Sequence, residues 1–229
     1  YSCSVYPITD EFWKNARLEA QENILRLRKH PALVLWCGNN EIEYFFFFYA
    51  VPFLLKFQWK RYRLTRKTYI QFFEHDLPKL IKKFDRTRPY WPSSPSNGGH
   101  MKTHGFRHSN DALQGDSHFW KVWHLNAPFS AYRKFFSRFM SEFGFEAFPN
   151  LQTIQKFYPV KDTERIRKKN GSSRNIFSNI MEHHQRNRAG NKKLYKYSRS
   201  RFKVPEHFEK QILLTQITQA EAVEYGVLH

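Results

Sequence analysis

Two glutamates stand where an apolar run gives way to a polar one. Glu41 closes the string Leu35-Trp-Cys-Gly-Asn-Asn-Glu, and Glu142 lies inside Arg138-Phe-Met-Ser-Glu-Phe-Gly144. Hydrolysis of a glycoside with retention needs one carboxylic acid to protonate the leaving oxygen and a second carboxylate, about 5 Å away, to form a covalent glycosyl adduct. A glutamate after a strand is, taken by itself, more often a helix N-terminal residue or an ordinary ion-pair partner. What matters is whether the surrounding elements make the two side chains converge.

The elements alternate. Thr9 or Asp10 can cap a helix whose Trp13, Ala16, Ala20, Ile24 and Leu27 recur at spacings of three and four, and Pro31 ends it. Ala32 to Cys37 is then a short continuous apolar run, as a parallel strand covered on both faces shows. A second helix is expected over Thr65 to Phe84, kinked or divided at Pro78. Further strands are expected at Arg88 to Trp91, Leu113 to Phe119 and Arg138 to Phe143, the last after an aromatic helix over Tyr132 to Phe136. Beyond Pro149 helical, basic segments run from Asn175 to His184, Asn191 to Arg199 and Pro205 to Tyr225. Strands alternating with helices point to an α/β fold, and in a (β/α)8 barrel the strand ends carry the active site.

Several segments, in order, resemble the β-mannosidases of glycoside hydrolase family 2. His30-Pro-Ala-Leu-Val-Leu-Trp-Cys-Gly-Asn-Asn-Glu-Ile-Glu43 resembles that family's fourth-strand motif, in which the glutamate after the two asparagines is the acid/base; this assigns the role to Glu41. Arg88-Pro-Tyr-Trp-Pro-Ser-Ser-Pro-Ser-Asn-Gly98 resembles the fifth-strand segment, and Gly115-Asp-Ser-His-Phe-Trp120 with Trp123 and His124 the sixth. Phe139-Met-Ser-Glu-Phe-Gly-Phe-Glu-Ala-Phe-Pro149 resembles the seventh, whose glutamate is the nucleophile, here Glu142. The resemblance implies a partial (β/α)8 TIM barrel, about strands 4 to 7 with flanking helices. It would form one domain over 1–229, with 160–229 its mainly helical, basic C-terminal part. The family's β-sandwich domains, strands one to three and strand eight are expected to be absent.

The implied activity is retaining hydrolysis of terminal β-D-mannose from β-mannosides or manno-oligosaccharides, without a cofactor. Glu41 must be protonated while Glu142 is ionised, after which Glu41 activates water. Asn40 is expected to bind the 2-hydroxyl, and Ser94 and Asn97 to line the sugar pocket. Trp36, Trp91, Trp120 and Trp123 could stack on a pyranose, and His118 and His124 could donate to hydroxyls or to the nucleophile. Tyr44 to Arg63, rich in phenylalanine and basic, departs from the family pattern, and Glu146 and Ala147 stand where it leads one to expect glutamine and serine.

Composition bounds the rest. The chain has 229 residues, 41% of them apolar, enough for a sizeable core. A net charge of +18 favours acidic partners. Between Arg186 and Lys203 the chain carries Arg188, Lys192, Lys193, Lys196, Arg199 and Arg201 and no acid, interleaved with Tyr195, Tyr197 and Phe202. A nucleic-acid-binding module is therefore a rival reading, and an inactive barrel remnant is another; the resemblance favours neither nucleic acid nor a membrane as partner. Tyr44 to Phe57 is broken by Pro52 and Lys56 and falls short of the ~20 apolar residues of a spanning helix. Cys3 and Cys37, with Cys37 expected inside a buried strand, do not suggest a disulfide. His100, His104 and His108 are spaced like a metal ladder, but Gly98, Gly99 and Gly105 speak against a continuous helix, and no metal is expected. Compartment and oligomeric state are not legible.

Overall fold

The structure, a computed structural model, describes residues 1–2, 6–7, 9–44, 66–98, 109–158 and 175–229. The Phe-rich segment from 45 onward, Cys3 and the three spaced histidines lie outside them. The chain divides into two compact units, one of Tyr1–His118 with Phe136–Glu142, the other of Phe119–Phe135 with Phe143–His229.

In the first unit, helix α1 spans Asp10–Leu27. Thr9 caps it: its side chain accepts the Phe12 N–H, one of the donors a helix start leaves unpaired. Trp13, Ala16, Ala20 and Ile24 form the buried face, as their spacing predicts. Strand β1 is only Trp36–Cys37, shorter than the apolar run suggests, and it pairs in parallel with β2, Tyr90–Trp91. Cys37 is exposed and carries a free thiol, contrary to the expectation of a buried strand position.

The helix expected over 65–84 forms without a break at Pro78. Helix α2 (Arg66–Tyr69) passes through a π-helical stretch, Ile70–Asp76, into α3 (Leu77–Phe84). The proline falls in the first turn of α3. There its missing N–H falls where the wider winding hands over to the α-helix, the Leu77 N–H still donating to the Phe72 carbonyl. Phe72 and Phe73, at 2% and 0% exposure, join Trp13, Ala16 and Tyr69 in the core of this unit.

Strand β3 is Ser117–Phe119 and β4 is Met140–Phe143; they form a second two-stranded sheet, with the Ser117 N–H donating to the Phe139 carbonyl at 2.9 Å. Both are shorter than the runs predicted from 113 and 138; before β3 the chain sits in a turn held by a side chain, Asp111 accepting the Leu113 N–H at 2.8 Å, and before β4 the Arg138 N–H donates to the Ala112 carbonyl at 3.0 Å. Helices and small sheets thus alternate, an α/β architecture, but among the described residues the strands pair two by two.

The second unit holds α4 (Lys121–Leu125), a 3-10 turn (Phe129–Lys134) in place of the expected aromatic α-helix, α5 (Leu151–Gln155), a 3-10 turn (Asn175–Phe177), α6 (Asn179–His184), α7 (Gly190–Arg201) and α8 (Phe208–Val227). Phe129 stacks on Tyr197 with ring centroids 5.6 Å apart, and Phe145 meets Tyr197 edge-on at 4.8 Å. Among the described residues, the stretch beyond Phe143 pairs with no strand. Its backbone groups are satisfied by α8 instead: Gln219 donates to the Phe145 carbonyl at 2.6 Å, Gln216 to that of Phe148 at 3.1 Å, and the Phe148 N–H reaches Thr215 Oγ1 at 3.2 Å.

Candidate active site

The chain leaving β1 is fixed against the chain leaving β2. Asn39, 1% exposed, donates through Nδ2 to the Pro92 carbonyl at 2.8 Å and accepts from Ser93 Oγ at 2.7 Å and the Ile42 N–H at 3.3 Å. Asn40 and Ser94 form an isolated parallel bridge, and the Glu41 N–H donates to the Ser94 carbonyl at 2.7 Å. Glu41 itself lies at φ +58°, in the left-handed region that costs a side chain other than glycine about 1–3 kcal/mol and persists only where the surroundings over-determine it. Here those surroundings are the Asn39 clamp and the Ser94 carbonyl, and the result aims the carboxyl.

From the second sheet come His118, in β3, and Ser141 and Glu142, in β4. His118 is 5% exposed, and its N–H donates to Asn110 Oδ1 at 2.7 Å, which pins the residue at the strand centre. Its ring Nδ1 lies 2.9 Å from Glu41 Oε1 and 3.5 Å from Glu142 Oε1, and Nε2 lies 2.9 Å from Ser94 Oγ. Ligand atoms of Glu41, His118 and Glu142 all fall within 4.8 Å of one another. The Glu41 side chain is 19% exposed and that of Glu142 34%, so both carboxyls are open on one side.

Asp116 ties the parts together. Buried at 4% exposure, it accepts from Trp91 Nε1 at 3.0 Å and the Ser96 N–H at 2.8 Å, and from the hydroxyls of Ser94 at 2.5 Å and Ser141 at 2.6 Å. One carboxylate thus joins the segments after β2, before β3 and within β4. Gly115 makes this approach possible: at φ +60° its backbone passes so close that a Cβ would lie 1.9 Å from the Ser96 carbonyl oxygen.

Of the residues singled out from sequence, Glu41, Glu142, His118 and Ser94 come together in one hydrogen-bonded group, with Asn40 half-buried beside Glu41. Asn97 is half-buried, three residues beyond Ser94. Trp91 spends its indole N–H on Asp116. Trp36 does not join them: its indole donates to Asp85 at 2.9 Å, and its ring walls a separate cavity of about 230 Å³ with Tyr1, Ile24 and Leu77. In the other unit Trp123 is 4% exposed and edge-on to Phe145 at 5.0 Å, a core position with no open face for a sugar. Trp120 is half-buried and packs on His124 at 5.0 Å, with its far edge closing over Gly144; His124 is exposed.

Asp116, Ser141, Asn110 and Glu43 were not singled out. Asp116 and Ser141 lie inside quoted motifs, next to strand residues, and a polar residue bordering a short strand was the available signal. Glu43 is 1% exposed and accepts the Tyr69 hydroxyl at 2.6 Å; burial pushes its carboxyl up to about 7 against the pull of the Tyr69 and Ser96 hydroxyls.

Chemically, two carboxyls with oxygens within 4.8 Å of each other and a histidine between them can exchange a proton and present a nucleophile. The same donor spacing would admit a divalent cation, a capacity not included in the expectation of no metal.

No family model matches the chain. β-Mannosidase B of Thermothelomyces thermophilus is 31% identical over 231 residues, 97% of this chain and 25% of that protein. The crystal structure of the β-D-mannosidase from Dictyoglomus thermophilum superposes with a TM-score of 0.71 at 32% identity, over 100% of this chain and 25% of that one. Over nearly its whole length the chain is similar to a portion of these β-mannosidases. The β-mannosidase of Capra hircus, 26% identical over 98% of the chain, extends the similarity to an animal enzyme. The chain spans about a quarter of the length of the β-mannosidases it matches.

Proposed function

We propose that this chain carries the two catalytic carboxyls of a retaining glycosidase that removes terminal β-D-mannose from β-mannosides or manno-oligosaccharides. It would form about strands 4 to 7 of a (β/α)8 barrel, one domain over 1–229 with 160–229 as its helical part. The observation that carries the reading is the Glu41–His118–Glu142 group, whose carboxyl oxygens lie within 4.8 Å of each other, Glu41 in the chain leaving β1 and Glu142 within β4. Similarity to β-mannosidases supports mannose as the sugar.

Glu142, on the more exposed side, attacks the anomeric carbon as Glu41 gives its proton to the glycosidic oxygen; the C1–O bond breaks with its electron pair on that oxygen. Glu41 then takes a proton from water, whose oxygen displaces Glu142 from C1. Asn40, half-buried beside Glu41, would hold the 2-hydroxyl, and Asn97 would meet the rest of the sugar. A held substrate is what converts proximity into rate.

The test is hydrolysis of an aryl β-mannoside by the longest natural polypeptide containing this chain, beside Glu142→Ala and Glu41→Ala. Each variant should lose at least about 1,000-fold in kcat, and azide should restore turnover, as α-mannosyl azide for Glu142→Ala and as β-mannosyl azide for Glu41→Ala. Unchanged rates in both variants would end the proposal.

A further inference from the structure

The hydrogen count around Asp116 decides where the catalytic proton is held. Its two oxygens face four donors, and an ionised carboxylate only accepts, so the hydroxyl hydrogens of Ser94 and Ser141 are both drawn to it. The contact between the two hydroxyl oxygens is longer, 3.1 Å, and has no hydrogen left to fill it. Ser94 owns a single hydrogen. Toward His118 Nε2, 2.9 Å away, it therefore shows a lone pair, and Nε2 must carry a hydrogen.

That fixes the other side of the ring. In the neutral imidazole Nδ1 is then bare, yet it faces Glu41 Oε1 at 2.9 Å and Glu142 Oε1 at 3.5 Å. Three lone-pair groups at these distances repel unless a proton lies among them. It sits on Glu41 and is donated to Nδ1, or it sits on Nδ1 and is donated back to Glu41. The two arrangements hold the same atoms and the same total charge. Glu41, Glu142 and, through Ser94, Asp116 are the charged groups that meet this ring among the described residues.

We infer that Asp116, acting through Ser94, is a positioning residue that holds His118 with its hydrogen on Nε2, so that Nδ1 shares with Glu41 the proton delivered to the leaving oxygen. The inference rests on the proposed glycosidase reading. When the glycosidic oxygen arrives, the shared proton moves from Glu41 to it, and His118 is left neutral with Nδ1 bare. In the second half-reaction Glu41 takes a proton from the attacking water, and the shared state is restored. No other reactant is needed.

The experiment compares leaving groups in the full polypeptide. A phenyl β-mannoside needs its departing oxygen protonated; a 2,4-dinitrophenyl β-mannoside does not. For Ser94→Ala and Asp116→Asn, kcat/KM on the phenyl substrate should fall about 30-fold further than on the dinitrophenyl substrate, because acid assistance is lost on top of any change common to both. Ser94→Thr, which keeps the hydroxyl, should restore the phenyl rate. Independently of turnover, 15N spectra of the His118 ring should place hydrogen on Nε2 in the parent and lose that preference in Ser94→Ala. Equal losses on both substrates, or a parent ring without hydrogen on Nε2, overturn the inference. Glu142→Ala separates the two levels: if it is inert on both substrates while these results fail, the glycosidase reading stands without this one, and if it stays active the glycosidase reading itself is lost.

Discussion

Replacing Glu43 by glutamine should make the chain more stable at neutral pH and remove most of its pH dependence. Glu43 is 1% exposed, and burial, outweighing the Tyr69 and Ser96 hydroxyls, raises its carboxyl from an ordinary 4.5 to about 7. The folded state thus holds a proton that the unfolded state releases above 4.5. Stability from this group is fully present below pH 4.5 and is lost as pH rises through 7, since in that window the folded chain binds more protons. The shift corresponds to about 3 kcal/mol between pH 4 and pH 8, a large share of the roughly 5–15 kcal/mol that holds a domain together. Glutamine has nearly the same shape, still accepts from Tyr69 and never ionises. Urea unfolding at pH 5 and pH 8 checks this: the parent midpoint should fall by about 1 M between them, with the glutamine variant nearly level. A glutamine variant that keeps the parent's slope, or is weaker than the parent at pH 8, would refute the assignment of the pH dependence to Glu43.

Gly115→Ala should cost at least about 2 kcal/mol and lower kcat/KM on the phenyl β-mannoside at least as far as Asp116→Asn does, because its Cβ would lie 1.9 Å from the Ser96 carbonyl at φ +60° and Asp116 would be driven from its four donors; retained activity with unchanged melting temperature would contradict the packing. Asp85→Ala should lower the midpoint of chemical denaturation while leaving the leaving-group dependence untouched. It strips partners from the Trp36 indole, the Thr87 hydroxyl and N–H and the Arg88 guanidinium, all of them outside the Glu41–Glu142 group.

Local signals carried far in this chain. The three- and four-residue spacing of Trp13, Ala16, Ala20 and Ile24 and the Thr9 cap determine α1, because helix hydrogen bonds and face are set within a few residues. Glu41 and Glu142 stood out as carboxyls beside apolar runs, a local pattern, although Glu142 lies within β4 rather than beyond it. Strand lengths were not legible: β1 and β4 end where side-chain and backbone partners distant in sequence take over, as with Asn39 at Pro92 and Gln219 at Phe145. Nor did Pro78 break its helix; it falls where the π-helical stretch hands over to α3.

What only the tertiary structure decided is which polar groups answer one another. Nothing near Asp116 in the sequence says that its four donors come from Trp91, Ser94, Ser96 and Ser141, or that Trp36 turns to Asp85 and Trp123 into the core. Composition fixes how many donors and acceptors a chain has. Burial, which depends on every element at once, decides which of them lose water and must find each other, and so where a proton can rest between Glu41 and His118.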